Sequence, residues 1–259
     1  MGIKQVIFDF FYYLCAGTFI SFGILRQSRL GRNYFLIHGL GIAALIILSY
    51  LFAGRSFLDH DAGYWLLASL IFIGLFSFTV GKRNRTPLTS YFLGVLSILG
   101  MLVLEVTTLH PYPLHTILIL NLGLSTLLMG FSMNAMCLGH WYLVQPKLSI
   151  DELKRVCLVL VILILARFIF GSLSLYSILH GKPEAEIYKY LLSASPGIFI
   201  LMRWCWGLLG PLVLAYPIWG TVKIRSTQSA TGILYVAVLF IITGEILSLY
   251  LAAFFGIAI

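Results

Sequence analysis

The 259 residues predict an all-α fold, a polytopic membrane helix bundle with eight transmembrane helices and both termini extracytoplasmic. Three observations carry this reading. First, 60% of the residues are hydrophobic and 10% charged, whereas soluble domains run nearer ~45–50% apolar and ~25% charged. Second, the apolar residues gather into long runs separated by short connections. Third, the basic residues cluster in alternate connections. The composition excludes an ordinary soluble enzyme and a disordered chain. It also excludes a nucleic-acid partner despite the net charge of +8, because the positive charge sits in short clusters between apolar runs, which is a topology signal.

A membrane helix needs ~20 mainly apolar residues. Eight stretches meet that length: 5–25, 34–53, 63–81, 87–109, 114–143, 155–179, 196–220 and 230–256. Thr86-Pro87 opens the fourth, with a capping hydroxyl before a proline at the first helical position. Ser149 and Glu152 have capping-box spacing before the sixth. Pro211 and Pro217 lie inside the seventh and are expected to kink or end it. No connection is long enough for a second domain, so residues 1–259 read as one transmembrane unit.

Orientation follows from the basic residues. The first, third, fifth and seventh connections hold eleven of the seventeen: Arg26, Arg29, Arg32, Lys82, Arg83, Arg85, Lys147, Lys154, Arg155, Lys223 and Arg225. Lys4, Arg55, Lys182 and Lys189 fall on the other side. Positive charge stays cytoplasmic, which places the odd connections inside. In the first span the charge follows the apolar run instead of preceding it, against a cleaved signal peptide. With no targeting segment, the expected location is the bacterial inner membrane. Cys15, Cys137, Cys157 and Cys205 form no CxxC and imply neither a disulfide framework nor covalent haem.

An ionisable group within a span costs about 2.5–3.5 kcal/mol at the helix centre and therefore marks a candidate site. Counting along the helices puts Glu105, Glu245, Arg203 and Asp9 toward the outer ends of their spans, and Arg167 near the middle of the sixth. A buried arginine needs a carboxylate, so Arg203 or Arg167 is expected to pair with Glu105 or Glu245. Such a pair either locks the bundle or handles protons or ligand, with Glu105 and Glu245 as the acid–base candidates. Asp9 is also consistent with an interfacial position.

On the cytoplasmic side, His38 stands six residues past Arg32 and His140 seven before Lys147, about 9–10 Å below the charged loops at the helical rise. Matched depth permits a haem b held by His38 and His140, or a quinone whose carbonyl a histidine bonds; a lone buried histidine also simply satisfies a backbone carbonyl. His140 lies in the densest local motif, Cys137-Leu-Gly-His-Trp-Tyr-Leu-Val-Gln-Pro146. Trp141 and Tyr142 serve there either as interfacial anchors or as the walls of a slot for a flat headgroup. Asn121, Asn134 and Ser132 are expected to face the bundle interior, and Met129, Met133 and Met136 to be packing rather than a copper site. His60 between Asp59 and Asp61, His110, His115 and His180 fall on the outer side, as solvated loop residues or ligands of a surface metal. Trp204-Cys-Trp206 reads as an aromatic belt or an arginine–aromatic contact with Arg203. GxSxG, Walker A, HExxH and a glycine-rich dinucleotide loop are all absent.

Eight spans in under 300 residues, the segment Gly244-Glu245-Ile-Leu-Ser-Leu-Tyr250, and Leu138-Gly-His140 followed by Pro146 resemble the quinol-handling membrane anchor subunits of bacterial respiratory oxidoreductases of the polysulfide, dimethyl sulfoxide and nitrite reductase type. The histidine–proline segment departs from that pattern in place and spacing, and Gly244–Tyr250 lacks the arginine expected there. The resemblance implies a quinol-linked oxidoreductase subunit that passes electrons to or from a partner carrying iron–sulfur or haem centres. In such a subunit His38, His140, Trp141, Tyr142, Arg167 and Arg203 are the candidates to bind the quinone or haem, and His140, His38 or Glu105 the proton acceptor. Two other readings fit the same residues: a non-catalytic membrane scaffold subunit, and a small transporter using Glu105, Glu245 and Arg203. A lipid-modifying enzyme is a further class.

Overall fold

The computed structural model describes residues 3–25, 30–53, 60–80, 88–109, 115–145, 148–181, 183, 186, 187, 191, 192, 195–257 and 259, with the side chains of 52–53, 60–62, 105–109 and 115–118 left aside. Among these residues the chain is helical, without a strand. The long helices are α1 (Ile3–Ser21), α2 (Arg32–Ala53), α3 (His60–Thr79), α4 (Leu88–Leu109), α5 (His115–Val144), α6 (Asp151–Leu179), α7 (Gly197–Lys223) and α8 (Thr227–Phe255). Six of them, α1, α2 and α5 to α8, are long and apolar enough to cross a membrane, while the apolar parts of α3 and α4, Gly63–Thr79 and Leu88–Leu104, are shorter.

Helix α5 is the hub: α1, α6 and α8 pack on it, α7 packs on α6 and α8, and α2, α3 and α4 follow from α1 in succession. Two glycines set the closest approach. A Cβ on Gly17 of α1 would lie 1.8 Å from the Thr126 carbonyl oxygen, and one on Gly130 of α5 would lie 1.9 Å from the Gly17 carbonyl carbon. The backbones touch where lipid supplies no hydrophobic drive and small residues permit contact. Where α1 meets α2, α3 and α4, Phe19, Phe22, Phe35, Phe76 and Tyr91 pack ring on ring with centroids 5.4–6.3 Å apart. The Tyr91 hydroxyl donates to the Ile20 carbonyl at 2.6 Å, so its polar tip is satisfied.

The helix-start signals resolve differently. Thr86-Pro87 lies outside the described residues. Ser149 sits one residue before the N-cap of α6 and bonds Asp151 at 2.6 Å, while Glu152 pairs with Arg155 at 3.3 Å. Within α7 the break comes before the prolines: Arg203–Leu209 is a π-turn, and an α-helix runs from Gly210 through Pro217 to Lys223. Pro211 falls in the first turn after the π segment, where no N–H is demanded. Neighbouring helices allow Pro217 to stay inside a helix.

Candidate functional site

Arg167 of α6, Arg203 of α7 and Glu245 of α8 converge. Arg167, Arg203 and Glu245 are each fully buried. The Glu245 carboxylate accepts from Arg167 Nε at 3.1 Å and Arg167 Nη2 at 2.9 Å, from Arg203 Nη2 at 2.8 Å, and from the Ser125 hydroxyl at 2.6 Å. Arg167 also donates to the Asn121 amide oxygen and to the Ser248 hydroxyl at 3.0 Å. One carboxylate thus serves two guanidiniums, and the forked geometry of arginine lets every contact be a charge-assisted bond. Buried ions persist in such a setting only when paired and hydrogen-bonded.

Local sequence explains the assembly. Asn121 and Ser125 are four residues apart on α5, and Glu245 and Ser248 three apart on α8, so each pair shares one helix face. Arg203 starts the π-turn, a distortion often found at functional sites. A Cβ on Gly207 would stand 2.5 Å from the Gly244 Cα, so α7 and α8 cross backbone to backbone beside the carboxylate. Larger residues there would push Arg203 away from Glu245.

A second cluster joins α2 and α5. The Tyr34 ring lies 4.3 Å from the His38 ring and 5.5 Å from that of Trp141, with His38 and Trp141 6.4 Å apart, centroid to centroid. His38 Nδ1 is 2.7 Å from the Tyr34 carbonyl oxygen. A carbonyl only accepts, so Nδ1 carries the proton and Nε2 keeps its lone pair. Trp141 Nε1–H is buried with no hydrogen-bond acceptor among the described residues. Tyr34 is held from behind: its hydroxyl donates to Asn134 Oδ1 at 2.5 Å, and Asn134 Nδ2 donates to Ser21 Oγ at 2.7 Å. Tyr34→Phe is expected to lower stability by about 1 kcal/mol by leaving the Asn134 oxygen without that donor, measurable as thermal unfolding in detergent.

The expected pairing of an arginine with Glu245 therefore involves both arginines at once. Arg167, counted to mid-span, joins the cluster because a guanidinium extends far from its own Cα. The side chains of Glu105, His60, Asp61 and His115 lie outside the described ones, and Asp59 and His110 lie outside the described residues altogether. Asp9 is buried and accepts from the Gln5 amide at 3.2 Å. His38 and Trp141 come together. His140 turns instead toward α8, exposed, with Nδ1 3.4 Å from the Tyr235 hydroxyl. Tyr142 is buried and donates to the Ser149 carbonyl. Asn121, Asn134 and Ser132 face the interior, and Met129 is wholly buried packing. Trp206 stacks on Phe240 at 4.3 Å, and Trp204 tilts against Phe168 at 5.7 Å. Tyr34, Ser125 and Ser248 were not anticipated as site residues. The signal available for the serines was their three- and four-residue spacing from Asn121 and Glu245.

Six long apolar helices, with their charge drawn inward, define an integral membrane protein of the all-α class. Beyond that class, no protein-family model matches the chain, and neither a curated protein nor a solved structure is similar to it.

Proposed function

We propose that the chain is a quinone-binding subunit of a membrane electron-transfer complex, spanning the bacterial inner membrane eight times with both termini outside. One observation carries the reading: an unpaired buried indole N–H on Trp141 and a free imidazole lone pair on His38 stand beside the Tyr34 ring. Buried donors without acceptors are rare and call for an explanation. A quinol hydroxyl supplies both missing partners, donating its proton to His38 Nε2 and accepting from Trp141 Nε1–H, while Tyr34 flanks the flat ring. Oxidation then releases two protons and two electrons. His38 takes one proton as general base, the proton of the other hydroxyl goes to water at the membrane surface, and both electrons pass to an iron–sulfur or haem centre on a partner subunit. The positive-inside distribution of Lys and Arg supports the orientation, which places this cluster near the cytoplasmic side. The imidazoles of His38 and His140 turn to different neighbours and do not fit one haem between them, so no step runs through haem.

The test is binding of a quinol analogue to the purified protein. Trp141→Phe and His38→Gln are each expected to weaken binding at least tenfold, about 1.4 kcal/mol, with thermal stability nearly unchanged. Unaltered affinity in both variants refutes the assignment.

A further inference from the structure

The Arg167–Arg203–Glu245 cluster carries two guanidiniums against one carboxylate among the described residues. The groups that complete it are neutral: Asn121, Ser125, Ser248 and main-chain oxygens. One of those oxygens behaves unlike an ordinary carbonyl. The Ile259 oxygen accepts from Arg167 Nη2 at 3.3 Å, from Arg203 Nε at 3.4 Å and from the Ser248 hydroxyl. Three donors, two of them cationic, converge on one fully enclosed point. Gly256 directs the chain there. Its left-handed backbone, φ 66°, ends α8: Gly256 N–H bonds back to the Ala252 carbonyl at 3.1 Å, the single bond of a left-handed glycine cap, and Ile257 N–H reaches the Leu251 carbonyl at 3.2 Å. Ile257 and Ile259 then sink into an apolar patch with Ile200, Leu251 and Phe199.

An uncompensated positive charge in a dry interior is costly, and its natural complement is an anion. We propose that the point where the Ile259 oxygen lies is a carboxylate-binding site, with Arg167, Arg203 and Ser248 as donors and the adjoining Ile and Leu side chains as a bed for an aliphatic group. Two sources share this chemistry: a carboxylate carried by the chain itself at position 259, and a free fatty acid drawn from the membrane.

The experiment uses the full chain in detergent, alone and with Gly-Ser-Gly-Ser appended after Ile259, each with and without Arg203→Gln; Ser248→Ala provides a milder second variant. Thermal unfolding is read with and without sodium acetate, and equilibrium dialysis is run with radiolabelled dodecanoate. If the chain supplies the carboxylate, the extension lowers Tm by about 2–4 °C or more, acetate restores part of the loss, and Arg203→Gln makes the protein indifferent to the extension. If a free acid supplies it, the extension has no effect and dodecanoate binds, at least tenfold more weakly in Arg203→Gln or Ser248→Ala, while dodecanol does not compete. Absence of both an extension effect and dodecanoate binding overturns the proposal, as does dodecanoate binding that ignores both substitutions.

Discussion

Glu245→Ala is expected to destabilise the protein by about 3–5 kcal/mol. The reason is asymmetry. Removing the carboxylate takes away the Glu245 charge that both buried guanidiniums share, and an under-compensated buried ion costs more than the intact pair contributes. Arg167 retains Asn121 and Ser248, but those are neutral acceptors. Ser125→Ala removes one donor to the same carboxylate and is expected to lose only about 1 kcal/mol. Replacing all three ions together with Met or Leu is expected to recover most of the loss, since well-packed apolar residues commonly match a buried ion cluster in stability. Reversible unfolding in mixed micelles measures all of these. A triple variant as unstable as Glu245→Ala would show that shape, and not charge balance, governs the region.

Gly17→Ala and Gly130→Ala should each cost at least about 1–3 kcal/mol, as overpacking does in a tight interior. Their added methyls would meet backbone at 1.8 and 1.9 Å, and backbone has no rotamer by which to yield. The two helices must separate, with strain at the adjacent Thr126 and Thr18. The control is Gly123→Ala on the same helix, where a Cβ would meet nothing within 4 Å. There the change is expected to be neutral or slightly stabilising, because alanine favours the helix over glycine. Equal losses at positions 17, 130 and 123 would refute the close-contact account.

How much of this could be read from residue order differs by feature. Arg167, Arg203 and Glu245 stood out because charge inside an apolar run is too expensive to be incidental. Their grouping was only half legible: depth counted along a helix axis separates Arg167 from Glu245, yet a guanidinium reaches well beyond its own turn. Depth also matched His38 with His140, but depth ignores rotation. Adjacent residues on a helix point about 100° apart, so on α5 it is Trp141 that faces α2, and His140 looks toward Tyr235. Tyr34 carried no signal of its own, since a tyrosine in an apolar run is ordinary; it matters because Asn134, a hundred positions away, fixes its hydroxyl. The π-turn at Arg203–Leu209 was illegible, since Pro211 and Pro217 drew attention to the wrong part of the helix. It coincides with the Gly207–Gly244 crossing, a tertiary contact that no local propensity encodes.

That surplus residue in α7 divides the helix into two halves with independent phase. Upstream, Ile200 belongs to the small cluster around the chain's last residues; downstream, Ala215, Ile218 and Val222 belong to the main core. An uninterrupted α-helix would tie those surfaces to one rotational setting, so any repacking at one end would propagate to the other. With the phase slip between them, each end can accumulate substitutions that suit its own surroundings, and the guanidinium at the junction stays where it is.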